Sequence, residues 1–507
     1  MDEPNTLWVQ PFRARSPRYF FVAINYYKKT LWLRQTLTVW RRLFRKNRKS
    51  SFSLQNISTK SKEVSMENYT LIYNTHLIDA NTNIFGSLLI KNNKIHQIIP
   101  HEKKDLTDIL SLIENKATLD AKKIDGQGLT LMPAFVDMHV HFRYPGQSAK
   151  EDLETGSRAA CHGGMGTVVL MPNTNPVVST PELAAQIREQ TQNLGLTDAL
   201  QTLSITKDFS GTDISHLDCL ENQPTLEIGC KAIPVITEDG KDVLSDDIMK
   251  AAMEKCSKAG VIVSCHCEDP KLVPLAKKLR DEKNFFEAEK VLAEAENTFT
   301  ERNLKLALET NCKVHIAHIS TKKALDSVRA AKAASKGKNL VTCEATPHHL
   351  GLNQEMPGFE NQLVNPPLRP QSDMEAVIEA IFDGTVDVIG TDHAPHTFLD
   401  KENGACGFSG IETAFSVCYT ALVKENGLPL SKLSDLMSNK PSKILGINKG
   451  LLQKGYLADL VLLDLEKEYT VDSNNFYSKG KFTPINGKKY FGTILKTFHH
   501  GNMVYPF

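Results

Sequence analysis

From residue 129 onward the chain repeats one pattern, a near-continuous apolar run followed by a longer mixed stretch. The runs are LTLMPAFVDM (129–138), TVVLMP (167–172), QTLSIT (201–206), CKAIPV (230–235), VIVSCH (261–266), KVHIAH (313–318), LVTCEA (340–345) and VDVIGT (386–391). They do not alternate apolar with polar, which marks parallel strands covered on both faces. The stretches between them predict helices. Thr180-Pro181-Glu182 supplies an N-cap residue and a proline at the first helical position, and Gly195 a stop. Further helices are predicted over 285–310 and over 374–383, before Gly384. Eight strand–helix alternations predict an α/β protein built on a (β/α)8 TIM-type barrel. Runs three and four are the weakest, so an open doubly wound sheet is the structural alternative.

The flanks read differently. Residues 69–100 place short apolar stretches around turn pairs such as Asn92-Asn93, a hairpin pattern. The segments 450–464 and 491–507 have the same look. Strands at both ends of a long insert predict a small composite β-sandwich domain, its first part at 66–128 and its second at 448–507, around a barrel at 129–447.

Composition changes the picture at one place. Lys and Arg total 60 against 59 Asp and Glu, so there is no global footprint for nucleic acid. Residues 1–65, however, carry 14 Lys/Arg, 3 Asp/Glu and all three tryptophans. Three readings of this basic extension stay open: a targeting or membrane-surface segment, a disordered arm for an acidic partner, or upstream sequence ahead of a true start at Met66. No apolar run is long enough to span a membrane. Ten cysteines in 507 residues are not a disulfide framework, so reduced thiols in a cytoplasm are the default.

Polar residues collect where the predicted strands end, the face on which such barrels carry their chemistry. His139 and His141 follow the first run, Asn173 the second, Glu238-Asp239 the fourth. His266 ends the fifth, His318 the sixth, and Asp392 follows the eighth. Two imidazoles two residues apart at a strand end leave the same face, and imidazole with carboxylate suits Zn²⁺. Four histidines and an aspartate exceed one tetrahedral ion, so two metals sharing a bridging anion are expected. Asp239 is the favoured bridge; a carboxylated Lys231 is the alternative. Cys265 and Cys267 flank His266 but should point away from it and pack in the core. His348 and His349 are expected to be structural or to support the ligands.

The ordered motifs VDMHVHFRYPG (136–146), KEDLETGSRAA (150–160), GGMGTVVLMPNTNP (163–176), TEDG (237–240), HCED (266–269), HIST (318–321), TCEATPHHL (342–350), NPPLR (365–369), GTDHAPH (390–396) and GFSGIET (407–413) resemble the dihydroorotase family, bacterial type I, of the amidohydrolase superfamily. GYLADLVLLD (455–464) resembles that superfamily's return to the small β domain. The resemblance covers about 66–507 and implies a cytoplasmic enzyme of pyrimidine (UMP) biosynthesis. Its reaction would be the reversible cyclisation of N-carbamoyl-L-aspartate to L-dihydroorotate with loss of water. It implies two Zn²⁺ per subunit, one held by His139, His141, Asp239 and Asp392, the other by Asp239, His266 and His318. Asp392 would be the general acid/base toward hydroxide attacking the ring carbonyl. Arg143, Asn173 and His396 would bind the substrate carboxylate, and Asn365 with the backbone of Ser409 and Gly410 the ring amides. The partner implied is a small molecule, with a homodimer left open. Ser409 stands where many members have proline. Arg143 favours this branch over hydantoinase or allantoinase relatives, because its fork binds a carboxylate that those ring substrates lack. A catalytically dead scaffold relative is the third reading, and it would be expected to have lost ligands that this chain keeps.

Overall fold

The computed structural model describes residues 68–113, 120–359 and 363–507; the basic segment 1–65 lies outside them. The strands are β1 Tyr69–Ile78, β2 Asn83–Lys91, β3 Lys94–Pro100, β4 Lys122–Asp125, β5 Thr130–Pro133, β6 Phe135–Val140, β7 Met165–Leu170, β8 Asp198–Gln201, β9 Leu203–Ser204, β10 Val235–Thr237, β11 Ile262–Cys265, β12 Val314–Ile316, β13 Val341–Ala345, β14 Val388–Ile389, β15 Leu460–Thr470, β16 Lys489–His499 and β17 Asn502–Tyr505.

Strands β6, β7 and β8 pair in parallel, as do β9 through β14 in chain order. Thr202 alone separates β8 from β9, and a parallel bridge from Val140 to His393 closes the circle. This is the expected barrel. Its outer strand face packs Val168, Ile236, Val263 and Ile316 against helix residues such as Ala184, Ile187 and Met253. Its interior holds Val136, Met138, Val169, Leu200, Val235 and Val388. The helix after β7 runs Pro181–Leu194, with Thr180 accepting from Leu183 N and Gly195 left-handed at φ 67°. Those after β11 and β13 include Phe285–Thr310 and Gln371–Asp383, the latter opening three residues earlier than its apolar period suggests.

The second sheet runs β17-β16-β15-β5-β1-β2-β3, with β4 also on β1. Both chain ends therefore build it, as a composite sandwich requires. β1 forks, its first half pairing with β4 and its second with β5. The hairpin at Asn92-Asn93 is present, with Lys91 opposite Lys94 and Asn92 at φ 56°.

Three strand boundaries differ from the sequence reading. The run 129–138 is two strands, because β5 pairs with β1 and β15 in the small sheet and the barrel begins at Phe135. The third run is displaced toward Asp198 and interrupted at Thr202, whose hydroxyl donates to Leu170 O at 2.8 Å. In the fourth, residues 230–232 are taken by local pairing with 224–226, so the strand starts only after Pro234.

Lys449 ties the two sheets together. Buried, it donates to Thr167 Oγ1 of β7 at 2.9 Å and pairs with Asp198 at the start of β8 and with Asp459 just before β15. Removing one partner of a buried pair leaves uncompensated charge and typically costs about 3–5 kcal/mol. Lys449→Met is expected to lower unfolding stability by about that amount in a denaturant titration. An unchanged midpoint would remove Lys449 from this role.

Candidate active site and metal centre

At the C-terminal ends of the barrel strands the chain turns sharply. Arg143 (φ 54°), Cys267 (φ 63°), His318 (φ 31°) and Asp392 (φ 47°) all adopt left-handed backbone. Each such non-glycine residue costs on the order of 1–3 kcal/mol, and such strain persists only where surrounding structure enforces it. These turns send side chains from different strands into one cavity of about 210 Å³. It brings together His141, Arg143, Asn173, Asp239, His266, His318, Asn365, Asp392 and His396. His139 lies beneath, 2% exposed. A larger cavity of about 420 Å³, lined by Lys313, Lys332, Lys440 and Lys443 with Asp387, lies at the N-terminal ends of β11–β14 and holds no imidazole.

Counting protons decides what the cluster can do. His139 Nδ1 donates to Glu344 Oε1 at 2.8 Å, which leaves its Nε2 to the cluster. That buried Nε2 has no hydrogen-bond partner among the described residues and faces Asp239 Oδ1 at 3.4 Å and Asp392 Oδ1 at 3.6 Å. His141 Nδ1 donates to Asn173 Oδ1 at 3.0 Å, which turns its Nε2 toward Asp392 Oδ1 at 3.2 Å and Asp239 Oδ2 at 3.5 Å. On the far side His266 Nδ1 lies 2.8 Å from His318 Nε2 and 3.3 Å from Asp239 Oδ1, while His318 Nδ1 is buried without a partner among the described residues. Burial, then the charges of His266 and His139, pushes the His318 imidazole down to about 3, so it stays neutral. Burial alone would push the His139 and His266 imidazoles down, but the carboxylates of Asp392, Asp239 and Glu344 around the first, and of Asp239 and Glu268 around the second, hold both well above the ordinary range, so a positive charge, a proton or a metal ion in its place, belongs among these atoms. Donor atoms of His139, His141 and Asp392 lie within 4.8 Å of one another, as do those of His139, Asp239 and His318. Asp239 touches both halves, as a bridge would. Lys231 does not reach the cluster: it precedes β10, whereas Asp239 follows it, and its ammonium donates to Ala259 O.

The substrate-side residues divide. Arg143 donates from Nε to Pro395 O at 3.3 Å and from Nη2 to His396 Nε2 at 3.2 Å. Among the described residues, Nη1 and the second Nη2 hydrogen have no hydrogen-bond partner. Burial, then the charges of Arg143 and Lys150, pushes His396 down to about 3 and keeps it neutral. Asn173, read from sequence as a substrate contact, spends its amide on the cluster, accepting from His141 and donating to Asp239 Oδ2 at 2.8 Å. Asn365 donates to Glu268 Oε1 at 3.0 Å and sits 3.3 Å from His266 Nε2. Ser409 and Gly410 do not line the cavity. Their N–H groups are engaged by Phe482 O and His393 Nδ1, which leaves only their carbonyls to a ring amide.

Cys265 and Cys267 are buried in the outer core. His349 is held between Thr346 Oγ1 and Pro367 O, and His348 lies edge-on to Phe408. The sequence reading missed Gly240, Ala394, Cys406 and Gly407, which line the cavity. It also missed Glu344 as a partner of His139. The available signal was a lone acid inside an otherwise apolar strand.

A model of the amidohydrolase family matches residues 130–504. The chain is 40% identical to the dihydroorotase of Clostridium botulinum (strain Eklund 17B / Type B), over 86% of this chain and 99% of that protein. This chain is a member of the dihydroorotase branch of the amidohydrolase family. The dihydroorotase of Bacillus subtilis (strain 168) is 38% identical over 77% of this chain and 90% of its own. Among solved structures, the L-hydantoinase (dihydropyrimidinase) from Arthrobacter aurescens superposes with a TM-score of 0.73 at 24% identity, covering 86% of this chain and 95% of that one. It shares the barrel-and-sandwich fold with this dihydroorotase-family chain.

If Asp239 bridges the two halves, Asp239→Ala lowers bound metal in elemental analysis of the purified protein, while Lys231→Ala leaves it unchanged. The reverse pattern would move the bridge to the lysine.

Proposed function

We propose that the protein catalyses the reversible cyclisation of N-carbamoyl-L-aspartate to L-dihydroorotate with loss of water, a cytoplasmic step of pyrimidine biosynthesis, using two zinc ions per subunit. The observation that carries this reading is one small cavity holding both a cation-demanding imidazole–carboxylate cluster and an arginine fork with free donors. His139, His141, Asp239 and Asp392 would hold one ion, and Asp239, His266 and His318 the other. When bound, such a pair acidifies a water molecule and polarises a carbonyl oxygen.

The protein's own groups do the rest. Arg143 takes the substrate carboxylate in parallel hydrogen bonds, and neutral His396 beside it adds polar contact without competing charge. That clamp sets the ring carbonyl toward Asp392. Burial pushes the Asp392 carboxyl up, but the charge of His139 and the hydrogen bond and charge of His141 outweigh it, so the group is held below the ordinary carboxylate range. It is therefore ionised and ready to accept. In hydrolysis Asp392 takes the proton of the attacking water and returns it to the ring nitrogen as the C–N bond breaks. Ring closure runs the same transfers backward. All ten cysteines are unpaired, which suits a reducing compartment. Among the described residues no helix is long and apolar enough to cross a membrane.

A ring-substrate panel tests the assignment. Dihydroorotate and N-carbamoyl-aspartate are expected to interconvert while hydantoin, dihydrouracil and allantoin are not; turnover of allantoin without dihydroorotate would overturn it. Asp392→Asn is expected to cut kcat about 10²–10⁴-fold, the usual worth of general acid–base help, and a near-normal rate would free Asp392 of that role. Arg143→Lys loses the planar fork, so KM for dihydroorotate should rise with little change in thermal stability; an unchanged KM would contradict the clamp.

A further inference from the structure

One buried carboxylate, outside the proposed ligand set, touches more of the cluster than any single ligand explains. Glu344 lies on β13 and is 0% exposed. Its neighbours Cys343 and Ala345 pack into the outer core, so its own side chain enters the barrel. Oε1 accepts from His139 Nδ1 at 2.8 Å and from the backbone N–H of His318 at 3.2 Å; Oε2 meets His315 Nε2 at 3.1 Å. His315 is in turn fixed by Thr342 Oγ1 at 2.9 Å. The fourth neighbour is a space. A Cβ on Gly390, which follows β14, would lie inside van der Waals contact of the Glu344 carboxylate. Gly390 has no positive φ that would itself call for glycine, so the room for Glu344 is the reason for it. Strands β6, β12, β13 and β14 thus converge on one carboxylate.

We propose that Glu344 is a positioning residue for both halves of the centre. Through the ring it fixes His139 in the Nδ1–H tautomer, so that the Nε2 lone pair enters the cluster. Through the backbone it holds His318 in its left-handed turn. Gly390 is the space-giving residue that lets it do so. Neither group touches substrate. The inference rests on the metal-binding reading above, and it adds that the cluster's affinity depends on an acid the reaction does not use. A carboxylate behind a ligating imidazole fixes its tautomer and raises its basicity, and losing it usually costs about 10–100-fold in metal affinity or activity.

The test is zinc competition against a chromophoric chelator, on full-length protein stripped of metal and refilled, for wild type, Glu344→Gln, Glu344→Ala and Gly390→Ala. Alongside it, nitrogen NMR of ¹⁵N-histidine-labelled protein reads the His139 tautomer. Glu344→Ala is expected to bind zinc about 10–100-fold more weakly and to lose the single-tautomer signal. Glu344→Gln keeps an acceptor for Nδ1–H but no charge, so it should keep the tautomer and fall between. Gly390→Ala leaves Glu344 in place yet displaces its carboxylate, and should resemble Glu344→Ala. If Glu344→Ala fails to fold, Glu344→Gln and Gly390→Ala decide. Wild-type zinc affinity in both Glu344→Gln and Gly390→Ala, or a His139 signal protonated on Nε2 in the zinc-loaded wild type, overturns the proposal. A wild type that binds no zinc at all instead overturns the metal reading beneath it.

Discussion

Everything at the mouth of this barrel follows from imidazoles and carboxylates packed against one another out of water. Glu344 and Asn173 hold the Nδ1 protons of His139 and His141, so the Nε2 atoms of both face carboxylate oxygens of Asp239 and Asp392. Buried groups left this way are costly unless a cation lies among them. The barrel is what makes the arrangement attainable. Its strands deliver these side chains from points as far apart in sequence as residues 139 and 392, and left-handed turns at Arg143, His318 and Asp392 aim them inward.

The division of labour between fold and chemistry also becomes clear. The hydantoinase likeness, at 24% identity, concerns the scaffold, two sheets joined through Lys449. In the proposed function, what separates ring substrates within that scaffold is the short stretch after β6. Arg143 stands four residues from His139, so the proposed carboxylate clamp and the imidazole–carboxylate cluster are spaced by a single turn of chain. His396 and Pro395, reached across the barrel closure, hold the guanidinium in place.

Much of this was legible in the sequence because the informative residues sit at strand ends, where apolar runs stop. His139, His141, His266, His318 and Asp392 all stand there, and the structure brings them together around Asp239. What was not legible depends on partners remote along the chain. Glu344 looked like part of an apolar strand, and its partner His139 lies 205 residues away. Asn173 lines the cavity, as a substrate contact would, but nothing in PNTNP shows that its amide also meets His141 and Asp239. The backbone donors of Ser409 and Gly410 are occupied by Phe482 and His393, contacts made by a loop of the terminal sheet and by the turn after β14. The run 129–138 hid a change of sheet at Ala134, since both halves are equally apolar.

The most direct measurement is anomalous diffraction from a crystal of the zinc-loaded protein, recorded on either side of the zinc absorption edge. The account predicts two peaks at the mouth of the barrel, one among His139, His141, Asp239 and Asp392 and one among Asp239, His266 and His318. A loaded crystal with no peak between these residues, or with peaks only elsewhere on the chain, would contradict it.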